Sequence, residues 1–314
     1  MNEITRAAKA TAVVVTYQSA DTLEALFTAA HKCCDANALQ FVFVDNDSKD
    51  ATPQILQKQV DWAEVVLTGK NNGFGRGCNI GLAKVTTPYT LFLNPDAQIE
   101  PEEIEKLVDF MDSHPNVGIV GPATACGAEG RLQGTSALPT PWTVFRASIP
   151  LLPPLTATQS ILPGMAPFRT GWVCGAVFLI RTDLARRLGG FDPRFFLYWE
   201  EMDICHRASD IGFETWAVGN VMAKHICGAS STDDDTRISG CIGKDFYQSR
   251  RYYMIKHHGW FATTIAEFGE YVFLLVRVIS DVLRCKGLAR IRPRMQARLF
   301  SQPDELKTPP TFVK

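Results

Sequence analysis

The sequence predicts an α/β protein: a mostly parallel sheet flanked by helices, with a helical extension at the C-terminal end. Three observations carry that prediction. β-Branched apolar runs alternate with segments of helical apolar spacing through the first third of the chain. The runs are almost wholly apolar, as strands covered on both faces are. One of them, Leu91-Phe92-Leu93, ends abruptly in Asn94-Pro95-Asp96. A buried strand that delivers a carboxylate to its tip has the layout of α/β sites, which gather at the carboxyl edge of the sheet.

Taken in order, Thr11 to Thr16 is a β-branched run and reads as the first strand. Leu23, Leu26, Phe27 and Ala30 then recur at helical spacing. Phe41 to Val44 is the second strand, ending in Asp45-Asn46-Asp47-Ser48, and Thr52 to Val60 is the next helix. Val65 to Leu67 and Tyr89 to Leu93 are two further strands. Pro101-Glu102-Glu103 opens a helix, with proline at its start and acids where the helix dipole favours them. From about Gly127 to Arg169 the chain is rich in proline, and a long irregular excursion is predicted. Order resumes at Gly175 to Ile180, followed by a helix that stops at Gly189-Gly190. Strands alternating with helices imply right-handed βαβ units.

With 314 residues the chain can bury a full core, most simply as one large α/β domain with a smaller appendage. The expected division is residues 1–235 for the large α/β domain and 236–314 for the helical segment with its basic tail. A net charge of −1 argues against a nucleic-acid partner. The nine cysteines contain no Cys-x-x-Cys pair, which favours reduced thiols over a disulfide framework or a zinc site. The N-terminus lacks the apolar core of a signal peptide, and no stretch reaches the ~18 uncharged apolar residues of a spanning helix. A cytoplasmic protein is expected, with peripheral placement at the inner face of the membrane as a variant.

That variant comes from the C-terminal segment. Most positions from Ile265 to Leu283 are apolar, and Glu267, Glu270, Arg277, Asp281 and Arg284 trace one narrow polar stripe on a helix. Arg284, Lys286, Arg290, Arg292, Arg294 and Arg298 follow with no acid among them. Residues 265–298 therefore suit an anionic membrane surface. Packing on the catalytic domain or on a second copy in a homodimer is the competing expectation.

Asp96, just after an apolar strand, suits a hard divalent cation such as Mg²⁺ or Mn²⁺. Asn71 to Leu82 is glycine-rich, and a helix starting near Gly75 would point N–H groups at phosphate. It fits neither a P-loop nor the GxGxxG pattern. Further on come the acids Glu200-Glu201-Met202-Asp203, then His225 in His225-Ile-Cys-Gly-Ala-Ser230.

The ordered set of these pieces resembles the family-2 inverting glycosyltransferases of the GT-A (Rossmann-like) fold, in particular their rhamnosyltransferase-like branch. The matching pieces are Val13-Val-Val-Thr-Tyr17, Val44-Asp-Asn-Asp-Ser48, Asn72-Gly-Phe-Gly-Arg-Gly-Cys-Asn79, Leu93-Asn-Pro-Asp96, Gly189-Gly-Phe-Asp192 with Phe195-Phe196, the acids at Glu200, and His225-x-x-Gly-x-Ser230. Ser249-Arg-Arg-Tyr-Tyr and Lys256-His-His-Gly259 close a stretch running from about residue 11 to 258.

The resemblance implies that Thr16, Tyr17 and Asp45 border the nucleotide, that Asn72, Arg76 and Asn79 line the donor side, and that Asp96 holds Mg²⁺ or Mn²⁺ on the diphosphate. It also implies that His225 approaches metal or diphosphate. Where the family carries Glu-Asp-x-Asp, this chain has Glu200-Glu201-Met202-Asp203, which puts Glu201 at the base position, one methylene longer than the usual aspartate. Glu200 is the next candidate. Asp203 is the rival, although an ion pair with Arg207 one turn on would occupy it. Trp172, Trp199 and Phe196 are candidate faces for sugar stacking.

The implied reaction is inverting transfer of a sugar from a dTDP- or UDP-sugar, rhamnose from dTDP-rhamnose first among them, to a glycan or lipid-linked acceptor for a cell-surface polysaccharide. Two other classes stay open at this level: a sugar-1-phosphate nucleotidyltransferase, and a non-catalytic nucleotide-sugar-binding protein of the same fold. The stretch from Val13 to Asp21 lacks the glycine-rich basic loop expected of the first.

Overall fold

The computed structural model describes residues 8–147, 149, 158–226 and 244–283. The N-terminal half runs β1 (Ala10–Thr16), α1 (Ala20–Asp35), β2 (Leu39–Asp45), α2 (Thr52–Gln59), β3 (Glu64–Leu67), α3 (Phe74–Leu82), β4 (Tyr89–Leu93), β5 (Ala97–Ile99), α4 (Pro101–Ser113) and β6 (Val117–Cys126). Short pieces follow: β7 (Arg131–Leu132), β8 (Gly134–Thr135), α5 (Pro141–Ala147), β9 (Gln159–Ser160) and β10 (Phe168–Thr170). The remainder is β11 (Val177–Arg181), α6 (Thr182–Arg187), α7 (Glu200–Asp210), β12 (Glu214–His225), α8 (Lys244–His258) and α9 (Trp260–Leu283).

The main sheet has the order β10-β12-β6-β11-β4-β1-β2-β3, with β5 also on β12 and β7 also on β6. Strands β4, β1, β2 and β3 are parallel neighbours, as are β6 and β12, while β11 runs antiparallel between β4 and β6. Alternation along β1 builds two cores. Ala10, Ala12 and Val14 pack with Leu23 and Leu26 of α1 on one face; Val13 and Val15 pack with Cys78 and Leu82 of α3 on the other. Helix α3 lies against the strand because Gly77 and Gly81 face it. A Cβ on Gly77 would stand 2.7 Å from Val15, and one on Gly81 would stand 2.4 Å from Val13.

Three sequence expectations change. The stretch from Gly127 to Arg169 is not wholly irregular, since β10 joins the main sheet and α5 packs near α9, with the Phe145 and Phe273 rings 6.4 Å apart. Strands β6 and β12, neither marked by alternation clear enough to single out, complete the sheet. Free cysteines are found at Cys33, Cys34, Cys78, Cys174 and Cys205, but Cys126 is disulfide-bonded, which overturns the reduced-thiol expectation at that position.

Helix α9 is turned the opposite way from a helix on a core. Its acids point inward, Glu267 to Arg251 and Glu270 to Arg250 of α8, while Phe261, Ile265, Phe268, Val272, Leu275 and Ile279 are exposed. The side chains of Arg277 and Asp281, and the basic run from Arg284 onward, lie outside the described residues. No helix among the described residues is long and apolar enough to cross a membrane.

Candidate active site

The site is assembled where β4 ends. After Leu93 the chain turns, the Asn94 N–H donating to the Ala176 carbonyl at 2.9 Å, and Asp96 follows with 3% of its surface exposed. Strand β5 then pairs with the end of β12, with Ala97 opposite His225. That register sets His225 Nε2 3.1 Å from Asp96 Oδ1. On its other side His225 Nδ1 lies 3.1 Å from Gln133 Nε2.

Asp96 Oδ1 is buried and, among the described residues, accepts no well-formed hydrogen bond, its near neighbour being His225 Nε2. Orphaned buried carboxylate oxygens are rare because burial without a partner is costly. An oxygen without a donor beside an imidazole nitrogen is a donor set that a divalent cation fits. Asp96 and His225, both named from the sequence, are thus brought together.

The residues expected on the donor side fare differently. Thr16 and Asp45 end the adjacent strands β1 and β2, and both are buried. The Asp45 carboxylate accepts from the Thr16 hydroxyl, the Ser48 hydroxyl and the Ser48 N–H, so it holds the loop after β2 in shape. Tyr17 is half-buried beside them. Asn46, which the sequence reading passed over, fixes the start of the glycine-rich segment: its amide reaches Asn71 Oδ1 and the Gly73 carbonyl, and its oxygen accepts from the Asn72 N–H.

Gly73 has φ +81°, and a Cβ there would stand 2.5 Å from the Phe196 carbonyl oxygen. That same carbonyl accepts the Phe74 N–H, so the protein itself closes the helix end expected to face phosphate. Arg76 is exposed and uses Nε on the Pro193 carbonyl. Asn79 corrects its expectation. One N–H and the oxygen of its amide are engaged by the Phe191 backbone, which ties α3 to the loop after α6 and gives Asn79 a structural role.

The three acids enter through a strained turn. Tyr198 (φ 70°) and Trp199 (φ 74°) are both left-handed, a conformation costly for bulky side chains and found where function demands it. Helix α7 begins at the next residue, which fixes Glu200 and Glu201 in its first turn.

Glu200 is buried against Gly75 of α3, and its Oε1 has no hydrogen-bond partner among the described residues. Burial, then the charge of Glu201, pushes its carboxyl well above the usual range. Glu201 packs on Gly175, where a Cβ would stand 3.5 Å from its Cδ. Lost hydration raises its carboxyl to about 7.

Asp203 is the opposite case. Burial pushes its carboxyl up, but the hydrogen bond from His257 and the charges of Arg207 and Lys256 outweigh that and hold it at about 2. Arg207 Nε lies 2.7 Å away, Lys256 Nζ 2.6 Å and His257 Nε2 2.8 Å. The i,i+4 pair with Arg207 expected from the sequence is present. Lys256 also reaches Asp192, which accepts from Arg194 and Tyr252 as well, so α8 is bound into the floor of the site.

The metal-side pair and the acids are neighbours through short connections. Asn94, two residues before Asp96, is bonded to Ala176, and the residue next to Ala176 is the Gly175 on which Glu201 packs. Gln133 sits between the two sides, with its amide on His225 and its side chain beside the Cys174 thiol that feels the charge of Glu201. No motif marked Gln133, since it comes from the proline-rich middle. Of the aromatic candidates, Trp199 is buried against Phe246 and Tyr253 and cannot stack on a sugar, and Trp172 bonds Ser136. Phe196 is exposed.

The chain is similar to proteins of known activity. The chain is 25% identical over 269 residues, 79% of its length and 85% of the relative's, to an N-acetylglucosaminyl-diphospho-decaprenol L-rhamnosyltransferase of Mycobacterium tuberculosis. It is 29% identical over 201 residues, 62% of its length and 60% of the other's, to the low-salt glycan biosynthesis hexosyltransferase Agl10 of Haloferax volcanii.

Among solved structures, GalNAc-T7 with UDP, GalNAc and Mn²⁺ matches at a TM-score of 0.55 and 14% identity over 80% of this chain, which spans only 48% of that protein. The mannosyltransferase PcManGT of Pyrobaculum calidifontis, with GDP-Man and Mn²⁺, matches at 0.53 and 16% over 93% of this chain and 84% of its own. These likenesses show the GT-A fold. The model of glycosyl transferase family 2 matches residues 11–173, from the start of β1 to just short of the Gly175 that supports Glu201, and the chain is a glycosyltransferase belonging to that family.

Proposed function

We propose that this glycosyltransferase moves a sugar from a nucleotide donor to an acceptor hydroxyl with inversion, Glu201 serving as the base. The observation that carries the reading is the division of labour among three adjacent acids. Glu200 is buried with its carboxyl pushed well up, Asp203 is saturated by cations, and Glu201 is raised to about 7, near where a general base works best.

Asp96 and His225 would hold Mg²⁺ or Mn²⁺. Charge neutralisation of the leaving diphosphate is what a divalent cation supplies there. Glu201 takes the acceptor proton as the hydroxyl attacks the anomeric carbon from the face opposite the diphosphate, and one displacement inverts the configuration. Arg76, exposed and anchored through Nε on the Pro193 carbonyl, would reach the donor with its terminal nitrogens. Tyr17 and the loop shaped by Asp45 border the nucleotide, and Asn72 opens the segment beneath it.

dTDP-rhamnose is the first donor to test, with UDP-sugars next, and a lipid-linked glycan is the acceptor class. The rhamnosyl and decaprenol terms in the Mycobacterium relative's name support both choices. Helix α9 supports a membrane-surface acceptor: Glu267 and Glu270 are spent on α8 and its apolar face is left outward, as in helices that lie in the lipid interface. A second copy covering that face is the competing reading. Peripheral placement at the inner face of the membrane follows from the first.

The test is a nucleotide-sugar panel with Mn²⁺ present. Acceptor-dependent release of nucleoside diphosphate supports transfer. Pyrophosphate release would indicate a nucleotidyltransferase, and donor binding without any release a non-catalytic protein.

A further inference from the structure

Where α7 meets α8, three side chains converge. His206 and Asp210 are one turn apart on α7, and His257 comes from α8. One ligand atom from each lies within 4.8 Å of the other two. The His206 and His257 rings stack at 3.9 Å and 11°, and His206 Nε2 is 3.9 Å from Asp210 Oδ1.

The nitrogens pointing away from this cluster are already anchored. His257 Nε2 is 2.8 Å from Asp203 Oδ1. An ionised carboxylate only accepts, so Nε2 carries the hydrogen and the Nδ1 lone pair is left over. His206 Nδ1 is 2.7 Å from the hydroxyl of buried Tyr253, which leaves Nε2. A histidine whose outer N–H is held by a carboxylate or hydroxyl while the other nitrogen faces an open position is the usual outer support of a metal ligand.

We propose that His206, His257 and Asp210 form a second metal site, separate from the Asp96 side and selective for a borderline transition ion such as Zn²⁺. Two imidazoles and one carboxylate, with a fourth position open to solvent, suit zinc, whereas Mg²⁺ asks for oxygen ligands. Zinc–nitrogen bonds of about 2.0–2.1 Å need the two nitrogens closer than the present ring spacing. That approach requires the His206 ring to turn out of its stack on His257, its Tyr253 contact adjusting with it, and the exposed Asp210 side chain to swing in. The ion would pin α8 onto α7, the helix that carries Glu200, Glu201 and Asp203.

The test uses the full chain, stripped of metal and kept in millimolar Mg²⁺, titrated with Zn²⁺ by calorimetry and followed by thermal melting. One equivalent of Zn²⁺ should bind and raise the melting temperature. His206→Gln and Asp210→Asn should each weaken that binding about tenfold or more, while Asp96→Asn leaves it unchanged. Asp210 is exposed, so its variant should fold even where a histidine variant does not, as checked by far-ultraviolet circular dichroism. Equal zinc affinity in the wild type and Asp210→Asn, no zinc binding at all, or loss of binding in Asp96→Asn would each overturn the proposal.

Discussion

His225 Nε2 stands 3.1 Å from Asp96 Oδ1, although the two residues come from strands far apart in the chain. The antiparallel pairing of β5 with the end of β12 sets that distance, because it puts Ala97 opposite His225. Replacing Asp96 by Asn keeps the shape and removes the charge. Metal-dependent turnover should then fall by on the order of 10² or more, with the fold intact. Manganese titrations of initial rate check this, and wild-type turnover in Asp96→Asn would remove the residue from the site.

Asp203 should behave as a structural acid. It is fully buried and holds Arg207, Lys256 and His257 together, so Asp203→Asn leaves half-buried Arg207 without its carboxylate and Lys256 with Asp192 alone. Removing one member of such a network costs about 3–5 kcal/mol. Urea unfolding should show that loss. Full stability with abolished transfer would instead make Asp203 the base.

The pH dependence follows from Glu201. Its carboxyl is raised from 4.5 to about 7, so the folded protein binds more protons than the unfolded chain between those values. Its contribution to stability therefore falls as pH rises through that window, while the carboxylate needed for proton removal appears. The rate should climb through about pH 7 and level off above it. A profile flat from pH 5 to 9 would contradict the assignment.

Helix α3 reaches β1 only because Gly81 lacks a side chain, a Cβ there standing 2.4 Å from Val13 Cγ1. Gly81→Ala should destabilise by about 1–3 kcal/mol through overpacking, despite alanine's better helix propensity. Val13→Ala in the same chain should recover part of the loss, which a double-mutant cycle measures. Additive effects would mean the two do not touch.

The outward face of α9 makes a separate prediction. Phe268→Glu and Leu275→Glu should reduce binding to anionic vesicles without lowering the melting temperature, since both side chains are exposed. If instead they convert a dimer to a monomer in light scattering and leave vesicle binding alone, the face belongs to a second copy.

Much of this was legible in the residues. Strands β1, β2 and β4 are unbroken apolar runs, and Asp96, His225 and Glu201 stand in motifs whose order specifies the family. What stayed hidden depends on tertiary pairing. β6 and β12 carry mixed residues that become buried only against each other and β11. Asn79 looks like a donor contact because asparagine suits one, yet its amide is engaged by the Phe191 backbone across a long chain separation. Gln133 has no local signal, and the inward turn of Glu267 and Glu270 depends on arginines of another helix.

Glu201→Gln offers the most direct measurement, taken as acceptor-dependent release of nucleoside diphosphate beside donor affinity in the same preparation. Donor binding should be unchanged and release slowed by on the order of 10²–10⁴. Release at the wild-type rate would contradict a proton transfer through Glu201.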